Sequence, residues 1–402
     1  MIADLALQRD KYRHLSDDEW RWFLQQAEGR ERTADKLPTF AAIEDWWYPV
    51  RLSCEQCSSE VTARYKAELV ESRKAKVESR FVDLTGGYGV DTFFLSEHFA
   101  HTDYVEQNAE LCRIAEHNFQ ISRKTKVERQ KLSITVHNCA AEDFLSSSPC
   151  ADAGWDLIFL DPARRDSHGG KVFRLADCTP NVIELLPTLL DRLAPNGRIM
   201  LKLSPMLDIT QAVKELSAFS IQWSVFVVAI KNEVKEVLLI SRNIGIPEYR
   251  ETGPTITAID LAEPEKAFVF TRREESDCAA QMANGTWSSG AFLYEPNAAI
   301  LKAGAYKLAG ERFGLQKLDT NTHLYVSPAL VAHFPGRVWQ IKSEGVKDER
   351  MKELNQANVL CRNYPLTAEQ LKKKMHLRDG GADFIIGCRV AGKPVVFLAE
   401  RI

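Results

Sequence analysis

The chain has 402 residues, of which 45% are hydrophobic, and its formal net charge is −3. This length supports two or three domains with their own cores, and no apolar run approaches the roughly 20 residues that a membrane-spanning helix requires. The nine cysteines, an odd number spread along the chain, lack the pattern of a disulfide framework. The segment Met1–Asp10 lacks the charged and apolar regions of a signal peptide. We therefore expect a cytoplasmic protein and exclude membrane-spanning and disulfide-rich secreted classes.

Residues 1–75 are predicted to form a helical N-terminal region, because charged and aromatic residues alternate there at helical spacing. Ser16 precedes one such stretch and Glu19 follows it by three residues, which is the pattern of a helix capping box. A later helix, predicted to start near Ser58, leads towards the first strand.

Cys54 and Cys57 are separated by two residues, a spacing that is also found in redox and zinc motifs. No second pair of this kind follows, and no Cys/His pair has the spacing of a zinc finger. We therefore interpret both as ordinary helix cysteines and expect no metal site.

The most informative motif is the stretch Phe81–Thr92, in which an apolar strand runs into a glycine-rich turn and then into a helix. This construction lets a backbone approach a nucleotide-like ligand closely. A dinucleotide-binding loop reads GxGxxG, but counted from Gly87 and Gly89 the third position is Thr92. S-adenosylmethionine has no pyrophosphate and needs only backbone N–H groups and open space, so the loop fits it better than a dinucleotide.

Two further strands are predicted to end in an acidic residue. The stretch His101–Glu106 places Glu106 where its carboxylate accepts hydrogen bonds from both ribose hydroxyls of either cofactor. The stretch Trp155–Arg165 is a buried-looking strand with Asp161 and Pro162 at its carboxyl end. In an open α/β sheet, this end of a strand faces the ligand crevice.

Strands and helical stretches alternate between residues 76 and 245, which predicts a parallel, doubly wound sheet. Its last two strands, within Gln222–Ser241, are predicted to form an antiparallel hairpin at the sheet edge. Prolines and a glycine within Ile246–Pro254 then indicate a domain boundary. Two smaller α+β units are predicted beyond it, over residues 246–328 and 329–402.

Some elements of the C-terminal units are predicted individually. We expect an amphipathic helix over Glu295–Arg312 and a strand at His323–Ser327. Thr367 is the expected N-cap of a helix that reaches Lys374, and Ile385–Leu398 is expected to be a hairpin.

Charge is unevenly distributed along the chain. Residues 331–402 contain 13 Lys plus Arg and 8 Asp plus Glu, a net charge of +5, which leaves −8 for the remainder. A basic appendage on an acidic catalytic domain indicates a polyanion held at a distance from the active site, and RNA is the obvious candidate. The alternative is that the cluster Lys372–Lys374 is an ordinary solvated helix face.

The glycine-rich loop, Glu106 and the Asp161–Pro162 strand end together resemble the class I, Rossmann-like S-adenosylmethionine-dependent methyltransferases. After the third strand this chain has Asn138–Asp143, where the family often has Gly-Asp to hold the adenine amine. The resemblance then implies that Glu142 or Asp143 takes that role. The cofactor-binding residues that it implies are Asp83, Thr85, Gly86, Gly87, Gly89, Glu106, Glu142 and Asp143.

The segments Glu295–Ser327, Asn358–Pro365 and Arg378–Asp383 resemble the ferredoxin-like and THUMP-like domains that follow a bacterial methyltransferase domain. THUMP domains bind RNA in tRNA-modifying enzymes, so the resemblance implies an RNA substrate, either tRNA or rRNA. The residues expected to bind this RNA are basic: Arg165, which follows the Asp161 strand end, and Lys372, Lys373, Lys374 and Arg378 in the basic C-terminal part.

A base nitrogen is the predicted methyl acceptor. Asp161 accepts a hydrogen bond from a base N–H in this interpretation, beside Pro162, and Arg164 clamps a phosphate or stacks on a base. Amino-methylating enzymes usually carry Asp-Pro-Pro and an aromatic residue, whereas this chain has Asp-Pro-Ala-Arg, which disfavours an exocyclic amine.

Three alternatives remain open at the level of the sequence. Carbon methylation of a pyrimidine requires a cysteine nucleophile, and the nearest candidate, Cys178, has no recognisable motif around it. The acceptor is otherwise a protein or a small molecule, or the chain is a non-catalytic RNA-binding protein that keeps the methyltransferase fold. The oligomeric state is not predicted.

Overall fold

The structure of the chain is a computed structural model. It describes residues 9–71, 78–123, 133–147, 154–164, 174–219, 221–242, 253–285, 289–345 and 349–402. The chain divides into two units. The first consists of Met1–Ile221 with Leu239–Gly245, and the second of Gln222–Leu238 with Ile246–Ile402.

Helices occupy the beginning of the first unit. The α-helices described there are α1 (Asp17–Thr33), α2 (Pro38–Ala42), α3 (Arg51–Gln56) and α4 (Glu60–Glu71). Helix α1 begins with the predicted capping box, since the Glu19 N–H donates to the Ser16 hydroxyl and the Ser16 N–H donates to the Glu19 carboxylate. Cys54 lies in α3 and Cys57 directly follows it, and neither forms a disulfide.

Alternating strands and helices follow in the same unit. The strands are β1 (Arg80–Asp83), β2 (His101–Val105), β3 (Ile134–His137), β4 (Trp155–Leu160), β5 (Ala163–Arg164), β6 (Cys178–Thr179) and β7 (Leu193–Leu203). The helices are α5 (Val90–Ser96), α6 (Ala109–Ser122), α7 (Ala141–Ser147), α8 (Val182–Asp191) and α9 (Ile209–Leu216).

The predicted parallel sheet is confirmed in this unit. Strands β7, β4, β1, β2 and β3 lie side by side in that order, and every neighbouring pair is parallel. Five of the six residues of β4 are buried, because helices cover both faces of a parallel sheet. The carboxyl ends of β1, β2 and β4 therefore meet at one edge, where the predicted loop and acidic residues lie.

The second unit begins with the predicted hairpin, but the predicted position at the sheet edge was wrong, because its first strand also pairs with the strand Thr255–Asp260. The strands that follow are β8 (Gln222–Ile230), β9 (Glu233–Arg242), β10 (Thr255–Asp260) and β11 (Phe268–Thr271). Strand β9 belongs to the second unit up to Leu238, and its last four residues belong to the first unit. Strands β8 and β9 are neighbours joined by Lys231 and Asn232, both with positive φ, as in a two-residue type I′ turn. Both turn N–H groups donate to the Asp260 carboxylate at the end of β10.

The rest of the second unit is built on a seven-stranded sheet. Its strands are β12 (Phe292–Pro296), β13 (Gln316–Asp319), β14 (Thr322–Ser327), β15 (Gly336–Glu344), β16 (Asn358–Arg362), β17 (Asp383–Val390) and β18 (Lys393–Arg401). Their order is β13, β14, β12, β15, β18, β17, β16. The helices of this unit are α10 (Arg272–Asp277), α11 (Ala298–Ala303), α12 (Leu308–Arg312), α13 (Glu349–Lys352) and α14 (Ala368–Lys374).

One hydrophobic core runs through this sheet. It includes Leu293, Leu318, Trp339, Ile386 and Phe397, each at most 1% exposed, from five different strands. Strand β12 pairs with β14 on one side and with β15 on the other. The segments on either side of residue 335 therefore share one sheet and one core.

The predicted helix over Glu295–Arg312 was wrong in its bounds. Glu295 still belongs to β12, and the Asn297 side chain caps α11 by accepting the Ile300 N–H. Gly304 then ends α11 in the left-handed conformation, with φ of 82°, before α12 begins. A polar N-cap and a glycine C-cap thus divide the predicted helix.

The predicted strand at His323–Ser327, the Thr367 N-cap and the terminal hairpin are confirmed. Thr367 caps α14 with a capping box that includes Gln370. The terminal hairpin of β17 and β18 turns at Ala391 and Gly392, which both have positive φ. Within the described ranges, each helix is too short or too polar to cross a lipid bilayer.

Candidate active site

Asp83, at the end of β1, is buried and is hydrogen-bonded to the glycine-rich loop and to the helix that follows it. Its carboxylate accepts the Thr85 N–H at 3.0 Å and the Thr92 hydroxyl at 2.6 Å. Burial raises the pKa of Asp83 to about 7, against the lowering effect of these two hydrogen bonds. Thr92, which occupies the position of a third glycine, therefore ties helix α5 to β1. Asp83 is only 1% exposed, so it shapes the loop and does not present its side chain at the surface.

The loop glycines allow a tight turn, and Gly87 leaves open space for a ligand. A Cβ atom on Gly86 would lie 2.2 Å from the Tyr104 ring, so no side chain fits there. Gly87 and Gly89 have φ of 55° and 81°, which other residues rarely adopt. A Cβ atom on Gly87 would meet only the Thr85 carbonyl oxygen, at 3.7 Å, so the space above this residue is open. The loop thus fits the close approach of a nucleoside cofactor.

Glu106 stands beside this loop at the end of β2. One carboxylate oxygen accepts the Gly87 N–H at 2.9 Å and the other accepts the Asn108 N–H at 2.8 Å. Because each carboxylate oxygen has a second lone pair, both remain able to accept a ribose hydroxyl. The loop and the expected ribose-binding acid are therefore brought together.

The residues expected at the adenine lie at the end of the neighbouring strand, β3. The Asn138 side chain donates to the carbonyl oxygens of Glu106 and Gln107, which joins the ends of β3 and β2. Glu142 and Asp143 follow in the first turn of α7, and both are exposed. Their role at the adenine stays a prediction.

The N-terminal region is hydrogen-bonded to the glycine-rich loop. The Trp46 indole N–H donates to the Tyr88 hydroxyl at 2.9 Å, and this hydroxyl donates to the Trp47 carbonyl oxygen at 3.2 Å. The Asn118 side chain, on α6, bonds both the N–H and the carbonyl of Trp47. Tyr88 is the residue between Gly87 and Gly89, so the segment before α3 supports the loop from outside the sheet.

Asp161, at the end of β4, lies at the crevice next to the loop. Its N–H donates to the Thr85 hydroxyl at 2.6 Å, and its Oδ2 atom lies 2.5 Å from Nζ of Lys202. The side chain of Asp161 is 39% exposed, whereas that of Lys202 is 11% exposed. Pro162 follows and is buried. The predicted acid is thus accessible and holds one specific cation.

Lys202 belongs to a buried chain of charges that the sequence analysis missed. Its Nζ atom is 3.5 Å from Oδ2 of Asp91, and Nζ of Lys66 is 3.1 Å from Oδ1 of Asp91. The Ser58 hydroxyl donates to Asp91 at 2.7 Å. Burial raises the pKa of Asp91, but Lys66 and Lys202 outweigh this effect and hold the pKa below its usual value. We call Lys66, Asp91, Lys202 and Asp161 the ion chain.

The segment after Asp161 is described in part. The backbone of Ala163 and Arg164 forms β5, which pairs with β6. The side chain of Arg164 and the whole of Arg165 lie outside the described residues. Cys178, the candidate carbon-methylation nucleophile, lies in β6 opposite Arg164 and is 1% exposed.

The predicted RNA-binding lysines differ in their surroundings. Lys372 donates to the carboxylates of Glu369 and Asp379 at 2.9 and 2.8 Å, whereas Lys373, Lys374 and Arg378 are exposed. Residues 359–368, which precede these lysines in the sequence, line a groove of about 430 Å³. Arg362, which lines this groove, was not predicted, and it forms an ion pair with the buried Glu295.

Comparisons with known proteins agree with this fold. Residues 292–335 match a family described as a ferredoxin-like domain, and residues 336–401 match a family described as THUMP domain-like. A crystal structure from Porphyromonas gingivalis W83 that is classed as a methyltransferase is 32% identical. That match covers 96% of this chain and 92% of the other, with a TM-score of 0.82.

Two relatives from Mycobacterium tuberculosis, strains CDC 1551 / Oshkosh and H37Rv, are named as uncharacterized S-adenosylmethionine-dependent methyltransferases. Each is 25% identical over 270 residues, which is 63% of this chain. The match spans 66% of each relative, just under two thirds of its length. With the glycine-rich loop and Glu106 in place, the cofactor is S-adenosylmethionine. The chain belongs to the S-adenosylmethionine-dependent methyltransferases, with ferredoxin-like and THUMP-like domains at its C-terminal end.

Proposed function

We propose that the chain transfers the methyl group of S-adenosylmethionine to a base nitrogen of tRNA or rRNA in the cytoplasm. The observation that carries this proposal is the position of Asp161. Its side chain is 39% exposed at the carboxyl end of β4, and its backbone N–H is bonded to Thr85 of the cofactor loop. A carboxylate there is within reach of an acceptor that approaches the cofactor.

The chemistry divides between the cofactor and the chain. When bound, S-adenosylmethionine supplies a methyl group already activated on a sulfonium. Glu106 and the loop N–H groups would hold the nucleoside, and Glu142 or Asp143 would contact the adenine. Asp161 would accept a hydrogen bond from the N–H of the acceptor base and so orient the nitrogen for transfer. Asp161 would take the proton of that nitrogen as it accepts the methyl group and would pass the proton to water, and the demethylated cofactor would leave.

RNA is favoured as the acceptor by the second unit. The match to a THUMP domain-like family covers residues 336–401, and residues 331–402 carry a net charge of +5. Exposed Lys373, Lys374 and Arg378 are suited to phosphate contacts. Lys372 is expected to contribute less, because two carboxylates already accept its hydrogen bonds.

We also propose which parts of the chain bind the cofactor and which bind the RNA. Residues 76–245 would bind the cofactor, supported by the helical N-terminal region 1–75. Residues 246–328 and 329–402 would bind and orient the RNA. Arg164 and Arg165 would hold a phosphate or a base at the crevice.

The test is transfer of labelled methyl from S-adenosylmethionine into RNA from cells that lack this gene, with tRNA and rRNA separated. We expect label in one fraction, and about a 100-fold or greater loss of turnover in Asp161→Asn with cofactor binding retained. Asp191→Asn, an exposed carboxylate at the end of α8, is the matched control and should keep full activity. Label in protein but not in RNA would disprove the RNA assignment.

A further inference from the structure

We infer that Lys202 is a positioning residue for methyl transfer, which fixes the Asp161 carboxylate so that its second oxygen faces the acceptor. The inference rests on the proposed function, because it takes Asp161 as the group that meets the acceptor. It adds a role for the buried end of β7 and for the N-terminal helices.

The register of the sheet brings Lys202 to Asp161. Strands β4 and β7 are parallel neighbours with Leu160 opposite Leu201, so the next residues on the two strands are Asp161 and Lys202. Their side chains meet at 2.5 Å through Oδ2 of Asp161. An ammonium group on one oxygen restricts the carboxylate rotamer, and the other oxygen, Oδ1, then keeps one direction.

Burial shows on which side of the carboxylate Lys202 acts. The side chain of Lys202 is 11% exposed and that of Asp161 is 39% exposed, so of the two only Asp161 is readily accessible to an acceptor. Lys202 therefore acts through Asp161, which makes it a positioning residue and not a catalytic one. A lysine in the otherwise apolar end of β7 is costly to bury unless carboxylates accept its hydrogen bonds.

The remaining members of the ion chain hold Lys202 from behind. Asp91 lies 3.5 Å from Lys202, and it is itself held by Lys66 at 3.1 Å and by the Ser58 hydroxyl at 2.7 Å. If Lys202 loses its charge, Asp91 keeps both of these partners. Asp161 loses the cation that directs its side chain. The fold is therefore expected to survive a neutral residue at position 202, while the direction of the Asp161 carboxylate is lost.

The experiment compares Lys202→Met, Lys202→Arg, Asp161→Asn and the double variant Lys202→Met/Asp161→Asn in the full chain. The exposed Lys214→Met on α9 is the matched control. We expect Lys202→Met to lower kcat by about 10- to 100-fold, with S-adenosylmethionine affinity and acceptor KM changed by less than about threefold. Lys202→Arg should recover part of the rate, because it restores a cation next to Oδ2.

The double variant identifies the route of the effect. If Lys202 acts through Asp161, the double variant is no slower than Asp161→Asn alone. Rate losses that multiply in the double variant, or a kcat for Lys202→Met equal to that of Lys214→Met, would overturn the inference.

The same variants separate this inference from the proposed acceptor. If wild type labels protein and not RNA, the RNA assignment fails and the kcat comparison is made on the protein product. If wild type labels neither RNA nor protein, urea unfolding tests the contact between Lys202 and Asp161. Non-additive shifts of the unfolding midpoint for Lys202→Met and Asp161→Asn support the contact, and additive shifts overturn it.

Discussion

Asp83 holds the glycine-rich loop by hydrogen bonds, but its burial lowers the stability of the folded protein as the pH rises. It is buried under the loop, and burial raises its pKa to about 7 from the ordinary 3.8. The folded protein thus binds this proton more tightly than the unfolded chain does. The contribution of Asp83 to the free energy of unfolding therefore falls as the pH rises from about 4 to about 7, and it is constant above that range.

We predict that Asp83→Asn removes this pH dependence. Asparagine cannot ionise, so its free energy of unfolding lacks the loss that wild type shows as the pH rises. From pH 5 to pH 8, the free energy of unfolding of the variant minus that of wild type should therefore increase by an amount on the order of 2 kcal/mol. Urea unfolding at the two pH values measures the difference. Asp191→Asn serves as the control. If the free energy of unfolding of Asp83→Asn differs from that of wild type by the same amount at both pH values, Asp83 is ionised at both.

The residues of the site differ in how far the sequence revealed them. The loop glycines, Glu106 and Asp161 each end an apolar strand, and such positions converge at one edge of a parallel sheet. Lys202 also left a signal, because it is the single cation in the apolar run Ile199–Leu203 that precedes Ser204. Lys66 and Asp91 left none, because charged residues are common on helices and their partners depend on the packing of distant segments.

At the scale of elements, the segment that contains Trp46 and Trp47 supports the cofactor loop. Trp46 is 5% exposed and donates to the Tyr88 hydroxyl, which lies within the glycine-rich loop. Trp46 also packs against Phe40, with the two rings tilted by 30°, and meets Phe93 edge to face. A change in this segment is therefore transmitted to the loop.

We predict that Trp46→Phe weakens cofactor binding without touching the ligand. It leaves the Tyr88 hydroxyl without its donor and a space in the core, which costs about 1–3 kcal/mol of stability. The binding-competent fraction of the loop falls, so the Kd for S-adenosylmethionine should rise roughly threefold to tenfold. Calorimetric titration and urea unfolding measure the two effects.

Trp20→Phe is the matched control for Trp46→Phe. Trp20 is 8% exposed and packs against Tyr12 and Phe23 in the same N-terminal region. It should lower stability and leave the Kd unchanged. Equal Kd values for the two variants would mean that the N-terminal segment does not control the loop.

Elements whose ends are marked by local chemistry were predicted well. Ser16 with Glu19 and Thr367 with Gln370 form the capping boxes expected from their spacing. The helix expected over Glu295–Arg312 failed because its apolar spacing continues across Asn297 and Gly304. These residues are also a helix start and a helix stop, and periodicity outweighed them in the prediction.

At the scale of the whole molecule, two matched families share one sheet. Residue 335 ends the ferredoxin-like match and residue 336 starts the THUMP domain-like match, yet β12 and β15 are paired across this point. Sequence reasoning placed a boundary between residues 328 and 329. Pairing of strands that are distant in the chain leaves no local signal, so composition does not reveal such a shared sheet.

We predict that Trp339→Ala loosens both matched segments together. Trp339 is 1% exposed in β15, and removal of its ring should cost about 3–5 kcal/mol. Hydrogen exchange followed by mass spectrometry should show faster exchange in β13 and β14 as well as in β17 and β18. Exchange that accelerates only after residue 335 would show that the two segments unfold independently.

The division of the chain also has a consequence for its synthesis. Multidomain proteins generally fold from the N-terminus as they leave the ribosome. Here the first unit includes Leu239–Gly245, which is synthesised only after Gln222–Leu238 of the second unit. The nascent chain therefore carries the cofactor loop and Asp161 well before the last strand segment of their unit exists. The first unit therefore reaches its final form only after translation has passed residue 245, which sets the earliest moment at which a new molecule can bind the cofactor.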